Sequence, residues 1–202
     1  GYVIAVLIGL MTTTIVFGIE RWIVISKAAG SGDVKAYVGK VQSLVNANQI
    51  DEAIELSDKQ KGSVANVVKA ALIKLKEVKR EGFDADKATE TIQKEIEEAT
   101  VLEMPMLEKN MIILATLVSI GTLVGLLGTI KAFSALSTAG SPDSSALATG
   151  ISEALMNTAT GIGTSTLAIV FYNLFTTKID KLTHFIDEAG FAITQSYRRH
   201  NK

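Results

Sequence analysis

The residues of this sequence that could do chemistry are polar side chains within stretches that carry almost no charge. Glu153, Asn157, Thr160 and Thr164 follow one another at steps of three or four residues, which puts them on one face of a helix. A second stripe of small and polar residues, ending at Thr129, lies earlier in the chain. Lipid cannot satisfy polar groups, so such stripes on membrane helices must face protein or water. They favour an ion pathway, with Glu153 as an acceptor.

Each of these residues also has a structural interpretation. Glu153 could be an interfacial residue at a helix N-terminus, where the helix dipole stabilises an anion. Thr129 and Thr158 could donate hydrogen bonds to carbonyls of their own helices, as membrane threonines often do. We favour the pathway interpretation for Glu153 because it lies at one end of the polar stripe. For the two threonines, the residues alone leave both interpretations open.

Glycines accompany both polar stripes. They occur in patterns of two small residues separated by three others, which allow membrane helices to approach closely. We therefore predict that the glycines serve helix packing: Gly121, Gly125, Gly128, Gly161 and Gly163.

Most enzymatic functions are excluded by the residues available. The chain has no cysteine and only two histidines, His184 and His200, which have no zinc-site spacing. The glycine-rich run at 125–129 lacks the Gly-Lys-Ser/Thr ending of a phosphate-binding loop. A net charge of −1 indicates no nucleic-acid partner. We predict a protein that is not an enzyme and has no catalytic residues, bound metal or cofactor.

The distribution of charge predicts an integral membrane protein. Of the 202 residues, 48% are hydrophobic and 20% charged, and three windows are nearly free of charge over the roughly 20 residues that cross a bilayer. We predict transmembrane helices at 1–20, 110–136 and 150–177. A secretory signal peptide is the alternative for the first window, but no basic region or cleavage pattern supports it.

The positions of the basic residues predict the orientation. Fourteen of the 20 lysines and arginines lie in the segment 21–109, so we assign this segment to the cytoplasm, together with the tail 178–202. The N-terminus and the loop 137–149 then lie on the outer side of the membrane. Lys131 runs against this bias, and we expect its stem to reach the outer interface.

The segment 21–109 reads as helical throughout. Apolar residues recur at three- and four-residue spacing, and no run alternates as a strand would. The pattern from Asp84 to Leu136 has no strong stop, so we predict one long stalk helix kinked near Pro105. The predicted fold class is an all-α integral membrane protein, with three transmembrane helices and long cytoplasmic helical extensions.

The runs that contain the polar residues resemble motifs of a known family. Residues 125–130, Gly-Leu-Leu-Gly-Thr-Ile, resemble the GLLGTV motif of the MotA/TolQ/ExbB proton channel family. Residues 150–162 resemble its companion motif GIxEALxxTAxGL, and Tyr172-Asn173 resembles its closing Tyr-Asn. Three spans with a large cytoplasmic insertion favour the ExbB/TolQ branch, closest to ExbB, over the four-span MotA branch.

The resemblance implies a homopentamer in the cytoplasmic (inner) membrane of a bacterium with an outer membrane. Its second and third helices would line a pore that holds the single-span helices of an ExbD- or TolR-like partner, whose aspartate carries the proton. Thr129 and Thr158 would face that aspartate, and Glu153 matches the family's third-helix glutamate. With Asn157 and Thr160, these residues form the predicted proton pathway.

The function implied by the resemblance is to harness proton motive force for TonB-dependent outer-membrane transport. The implied partners are a TonB-like protein and the membrane lipids that surround the chain. The alternatives are a TolQ-like role in envelope integrity, a motility motor, a channel that conducts alone, and a structural scaffold. The residues themselves agree that a partner is needed, because no Asp or Lys lies deep within a predicted span.

Overall fold

A computed structural model describes residues 2–138, 140 and 143–200, and all regular structure within these ranges is α-helical. The helices are α1 (Tyr2–Ala28), α2 (Val34–Asn46), α3 (Ile50–Gln60), α4 (Gly62–Glu81), α5 (Ala85–Glu108), α6 (Met111–Thr138) and α7 (Ser144–His200). The predicted all-α class is confirmed. Helical segments in α1, α6 and α7 are long and apolar enough to cross a membrane, as predicted.

The helices form two compact units. The first, here called the membrane unit, contains α1 up to Trp22 together with Asn110–Phe175. The second, here called the helical unit, contains Ile23–Lys109 and the chain from Thr176 onward. Because the apolar windows fall in the first unit, the ion-pathway residues predicted from the sequence all belong to it.

One face of α6 is buried in the membrane unit, and glycines form its centre. The buried residues recur every three or four positions: Met111, Leu114, Leu117, Gly121, Gly125, Gly128 and Ala132. Leu123, Leu126 and Leu127 on other faces are more than half exposed. In a membrane helix, exposed leucines are suited to lipid, and the small residues bring the neighbouring helix close.

The predicted stalk helix from Asp84 to Leu136 is wrong in one respect. Pro105 lies inside α5, which continues to Glu108, and the break comes at Lys109 and Asn110. Asn110 has a φ of 63°, the left-handed conformation that asparagine tolerates better than most residues. A single asparagine is a weak sequence signal, whereas proline is a strong one, and this explains the misplaced break.

The third apolar window belongs to a helix much longer than a membrane span. The helix α7 has 57 residues and contains the whole predicted span 150–177 and most of the predicted tail. The Asp143 side chain accepts a hydrogen bond from the Ala146 backbone N–H, with 2.7 Å between Oδ1 and N, in the first turn. Of the predicted outer loop 137–149, residues 139, 141 and 142 lie outside the described part of the chain.

The helical unit follows the periodicity of its sequence closely. The apolar residues of α4 are buried at the predicted spacing: Val64, Val67, Val68, Ala71, Leu72 and Leu75. Asp33 and Asp84 cap α2 and α5 by accepting hydrogen bonds from backbone N–H groups. Asp51 lies inside α3, and Gln49 occupies the cap position of that helix.

A prediction concerns Gly62, where the loop between α3 and α4 touches the end of α1. Gly62 has a φ of 86°, and a Cβ there would collide with the Ala28 carbonyl oxygen and lie 2.7 Å from the Gly30 nitrogen. We expect Gly62→Ala to lower the free energy of unfolding by about 2 kcal/mol or more, because both the φ and the backbone contact oppose a side chain.

The matched control for this prediction is Gly39→Ala. Gly39 lies inside α2, and a Cβ there meets nothing within 4 Å, so alanine should stabilise the helix by up to about 1 kcal/mol. Thermal unfolding of the detergent-solubilised protein measures both variants. Equal unfolding temperatures for the two variants would contradict the assigned geometry.

Candidate functional site

The candidate site forms where the backbones of α6 and α7 come closest. A Cβ on Gly161 would lie 2.6 Å from the Gly121 carbonyl oxygen and 2.8 Å from the Cα of Gly125. A Cβ on Gly125 would lie 3.0 Å from both the Asn157 carbonyl oxygen and the Gly161 Cα. The predicted packing role therefore suits Gly121, Gly125 and Gly161, since only glycine fits this approach.

The other two predicted packing glycines have different surroundings. A Cβ on Gly128 would meet Val3 of α1 at 2.7 Å and Asn157 of α7 at 2.9 Å, so three helices converge there. A Cβ on Gly163 would have only the Met11 Cε within 4 Å, at 3.8 Å. The sequence pattern does not distinguish these cases, because both glycines lie at small-residue positions.

The close approach brings Thr129 and Thr158 together. Their hydroxyl oxygens lie 2.5 Å apart, within hydrogen-bonding distance. The Thr129 hydroxyl also lies 3.1 Å from the carbonyl oxygens of Gly125 and Ala154, and the Thr158 hydroxyl lies 3.3 Å from that of Ala154. Both threonines are partly exposed. Two hydroxyls and two carbonyl oxygens thus form one polar cluster, here called the threonine pair.

This arrangement combines the two interpretations left open by the sequence. Each threonine can donate to a carbonyl of its own helix, and each also reaches the other helix or its hydroxyl. A hydroxyl donates one hydrogen bond and accepts up to two. The pair can therefore take part in proton transfer only if another group supplies the proton and accepts it back. Neither hydroxyl titrates near neutral pH.

Asn157 lies on a different face of α7 from the threonine pair. It is 2% exposed, and its Oδ1 has no hydrogen-bond partner among the residues that the structure describes. Its side chain packs against Gly128. An unsatisfied buried acceptor costs about 1–3 kcal/mol, so Asn157 is a costly residue at this position.

The polar stripe predicted on α7 therefore has mixed surroundings. Thr164 is fully buried, Asn157 is nearly so, Thr160 is partly exposed and Glu153 is exposed. Thr160 and Thr164 donate hydrogen bonds to carbonyls of their own helix, those of Met156 and Thr160. Residues that share one helix face by their spacing are thus divided between the interior of the membrane unit and its surface.

Glu153 lines a cleft of about 560 Å³ near the start of α7. The cleft is also lined by Ile4 of α1 and by Ser152, Met156 and Asn157 of α7. Because α7 begins at Ser144, Glu153 lies beyond the first helical turn, where the effect of the helix dipole has decayed. The N-terminal interpretation of Glu153 therefore does not apply.

Two further polar contacts were not predicted from the sequence. The Thr122 hydroxyl donates to the Ser165 Oγ at 2.8 Å across the interface between α6 and α7. The Lys131 ammonium lies 3.4 Å from the ring centroid of Tyr2, which is cation–π geometry. The Tyr2 ring therefore provides a partner for Lys131. From the sequence alone, we expected only that the Lys131 side chain extends to the outer interface.

At the opposite end of α1, a buried charge is held by its neighbours. Arg21 is 1% exposed, and its guanidinium donates two hydrogen bonds of 2.5 Å to the Glu20 carboxylate. The Asn110 amide, at the break before α6, lies 3.5 Å from the same carboxylate. Buried charges are tolerated when paired in this way, so this cluster joins α1 to the start of α6.

Comparison with known proteins identifies relatives of this chain. The sequence profile of the MotA/TolQ/ExbB proton channel family matches residues 59–188, which include both polar motifs. The putative biopolymer transport protein ExbB-like 3 from Synechocystis sp. is 29% identical over 145 residues, covering 68% of this chain and 69% of the relative.

Proposed function

The chain belongs to the MotA/TolQ/ExbB proton channel family, and from this premise we propose that it is the ExbB-like subunit of a proton-driven motor in the inner membrane of a bacterium with an outer membrane. The family consists of proton channels rather than enzymes, and the three apolar helices make the chain a multi-pass membrane protein. The similarity to an ExbB-like relative supports the ExbB branch.

The observation that carries the proposal is the threonine pair. Thr129 comes from one family motif and Thr158 from the other, and their hydroxyls lie 2.5 Å apart on a partly exposed surface. Such hydroxyls can orient and stabilise a carboxylic acid that gains and loses a proton, but they cannot replace it. No Asp or Lys lies deep within a predicted span of this chain, so we assign the acid to another chain, which fits the aspartate of an ExbD- or TolR-like partner.

The proposed assembly follows from this requirement. Five copies of the chain surround a pore whose wall consists of α6 and α7, and the partner's single helices occupy the pore. Glu153 lies at the outer mouth of the pathway, Thr129, Thr158 and Thr160 face the partner, and Asn157 forms a layer behind them. The motor drives TonB-dependent outer-membrane transport through a TonB-like protein.

The proposed orientation agrees with the positive-inside rule. The N-terminus and the loop 137–149 lie outside, and the segments 21–109 and 178–202 lie in the cytoplasm. The contact between Tyr2 and Lys131 is consistent with this orientation, because it joins the start of α1 to the end of the second span on one side of the membrane.

Reconstitution of the chain into liposomes with and without its partner tests the proposal. We expect an imposed pH gradient to collapse faster only when both proteins are present, since the titrating acid belongs to the partner. Rapid collapse with this chain alone would contradict the proposal and indicate a channel that conducts by itself. A partner that co-purifies with Tol proteins rather than a TonB-like protein would indicate the envelope-integrity function.

A prediction for Glu153 separates a role in the pathway from a role in folding. We expect Glu153→Gln to lower proton-driven uptake at least about tenfold, because the amide cannot exchange the proton. Assembly and unfolding temperature should remain unchanged, because the side chain is exposed. Glu188→Gln, an exposed change farther along α7, is the control. Uptake by Glu153→Gln equal to that of the control would refute the role.

A further inference from the structure

A cavity in the helical unit lies beside the residues that follow two of the proposed membrane spans. It has a volume of about 400 Å³. One side consists of the end of α1, including Ile25, and the loop that leads to Asp33. The other side consists of a stretch of α7 that contributes Lys178, Lys181 and Leu182. None of the lining residues belongs to the candidate proton pathway.

The position of these residues along their helices fixes their depth. Lys178 is the first charged residue after the uncharged stretch 154–177, and Lys181 follows one turn later. Ile25 lies five residues after Glu20, the first charged residue of α1, or about 8 Å along the helix axis. The polar layer on each side of the hydrocarbon core is about 5–8 Å thick, so in the proposed orientation these residues would lie at the level of the lipid headgroups.

The cavity combines positive charge with an apolar floor. Ile25 and Leu182 are buried, and Phe185 is partly exposed beside them. Lys181 is exposed and forms no ion pair with any residue in the described part of the chain. The single carboxylate in the lining is Asp33, whose Oδ1 accepts the Lys35 backbone N–H at 3.0 Å.

Two lysines at the inner end of a span could be ordinary solvated cations, as the positive-inside bias requires. The concave shape and the apolar floor favour a ligand instead, because solvated lysines need neither. A ligand at this depth carries an anion on the cytoplasmic side and hydrocarbon on the membrane side. An anionic phospholipid has both parts, and basic pockets beside membrane helices bind such headgroups.

We propose that this cavity binds the headgroup of an anionic phospholipid of the inner leaflet. Lys178 and Lys181 contact the phosphate, and Ile25, Leu182 and Phe185 contact the glycerol and the first methylenes. The proposal rests on the membrane orientation proposed above and not on proton transport, so either can fail without the other.

The test measures lipid selectivity in the purified full chain. The protein in non-ionic detergent is incubated with equal amounts of phosphatidylglycerol and phosphatidylcholine with the same acyl chains, and the retained lipids are counted by native mass spectrometry. We expect the wild type to retain phosphatidylglycerol with a preference of at least about fivefold, and Lys181→Gln to reduce that preference by about fivefold. Lys178→Gln combined with Lys181→Gln should remove it.

Lys27→Gln is the matched control, since Lys27 is an exposed lysine in the last turn of α1 that does not line the cavity. It should keep the preference of the wild type. Three results would overturn the proposal: equal retention of both lipids by the wild type, the same loss in Lys27→Gln as in Lys181→Gln, or displacement of phosphatidylglycerol by inorganic phosphate. The last result would indicate a site for free phosphate. Partner-dependent proton flux, measured after the same variants are reconstituted into liposomes with the partner, keeps this outcome separate from the proposed motor.

Discussion

Replacing Thr158 with valine is expected to abolish proton-driven uptake while the protein still folds and assembles. Valine has nearly the same shape as threonine but lacks the hydroxyl, so the change removes the 2.5 Å contact with the Thr129 hydroxyl. The Thr129 hydroxyl keeps the carbonyl oxygens of Gly125 and Ala154 as acceptors. The cost in folding free energy is therefore only about 1 kcal/mol.

The functional cost should be far larger than the structural cost. In the proposed mechanism, the threonine pair orients the partner's acid in both of its protonation states. Correct placement of an acid or base typically raises the rate of proton transfer by about 10²–10⁴-fold. We expect partner-dependent proton flux in liposomes to fall at least about tenfold. Thr129→Val should act in the same way, because it removes the other half of the pair.

Thr116→Val provides the matched control for the threonine pair. Thr116 is an exposed residue of α6 whose hydroxyl donates at 2.7 Å to the Ile112 carbonyl of its own helix. The same substitution is made there, in the same helix as Thr129, but away from the other helix. Flux should remain at the wild-type level in this variant. If Thr158→Val also kept the wild-type flux, the two hydroxyls would serve only to pack the helices.

The second large effect is expected at Gly161, where alanine should separate α6 from α7. The added methyl would lie 2.6 Å from the Gly121 carbonyl oxygen and 2.8 Å from the Gly125 Cα. Both are backbone atoms, which cannot rotate away as a flexible side chain can. Overpacking of this kind costs about 1–3 kcal/mol and often more when backbone must move.

Separation of the helices would also widen the threonine pair, so one methyl group should cost both stability and function. We expect Gly161→Ala to lower the unfolding temperature in detergent and to abolish partner-dependent flux. Gly163→Ala, two residues along the same helix, is the control, because its Cβ would have only the Met11 Cε within 4 Å, at 3.8 Å. Its stability should stay within about 0.5 kcal/mol of the wild type. Equal behaviour of the two variants would show that the α6–α7 approach is not tight.

The sequence predicted the fold class and the presence of three long apolar helices well, because both depend on local properties of the chain. An uncharged run of sufficient length indicates a helix that can cross a bilayer. Apolar residues at every third or fourth position indicate a helix with one buried face. The buried residues of α4 followed from the same local signals. The helix break at Asn110 did not follow from local signals, because whether an asparagine adopts a positive φ depends on the tertiary contacts around it.

What the sequence determined by itself about this protein is its class, the approximate extent of its apolar helices and the residues worth testing. Only the tertiary structure decided how the polar residues are distributed among helix faces. Successive residues of a helix are turned by 100°, so a stripe at three- and four-residue spacing covers a broad sector. The close contact at Gly125 and Gly161 determines which part of that sector meets α6: it buries Asn157 and leaves Thr158 partly exposed against Thr129. Contacts between helices are not local, and spacing along one helix therefore cannot predict them.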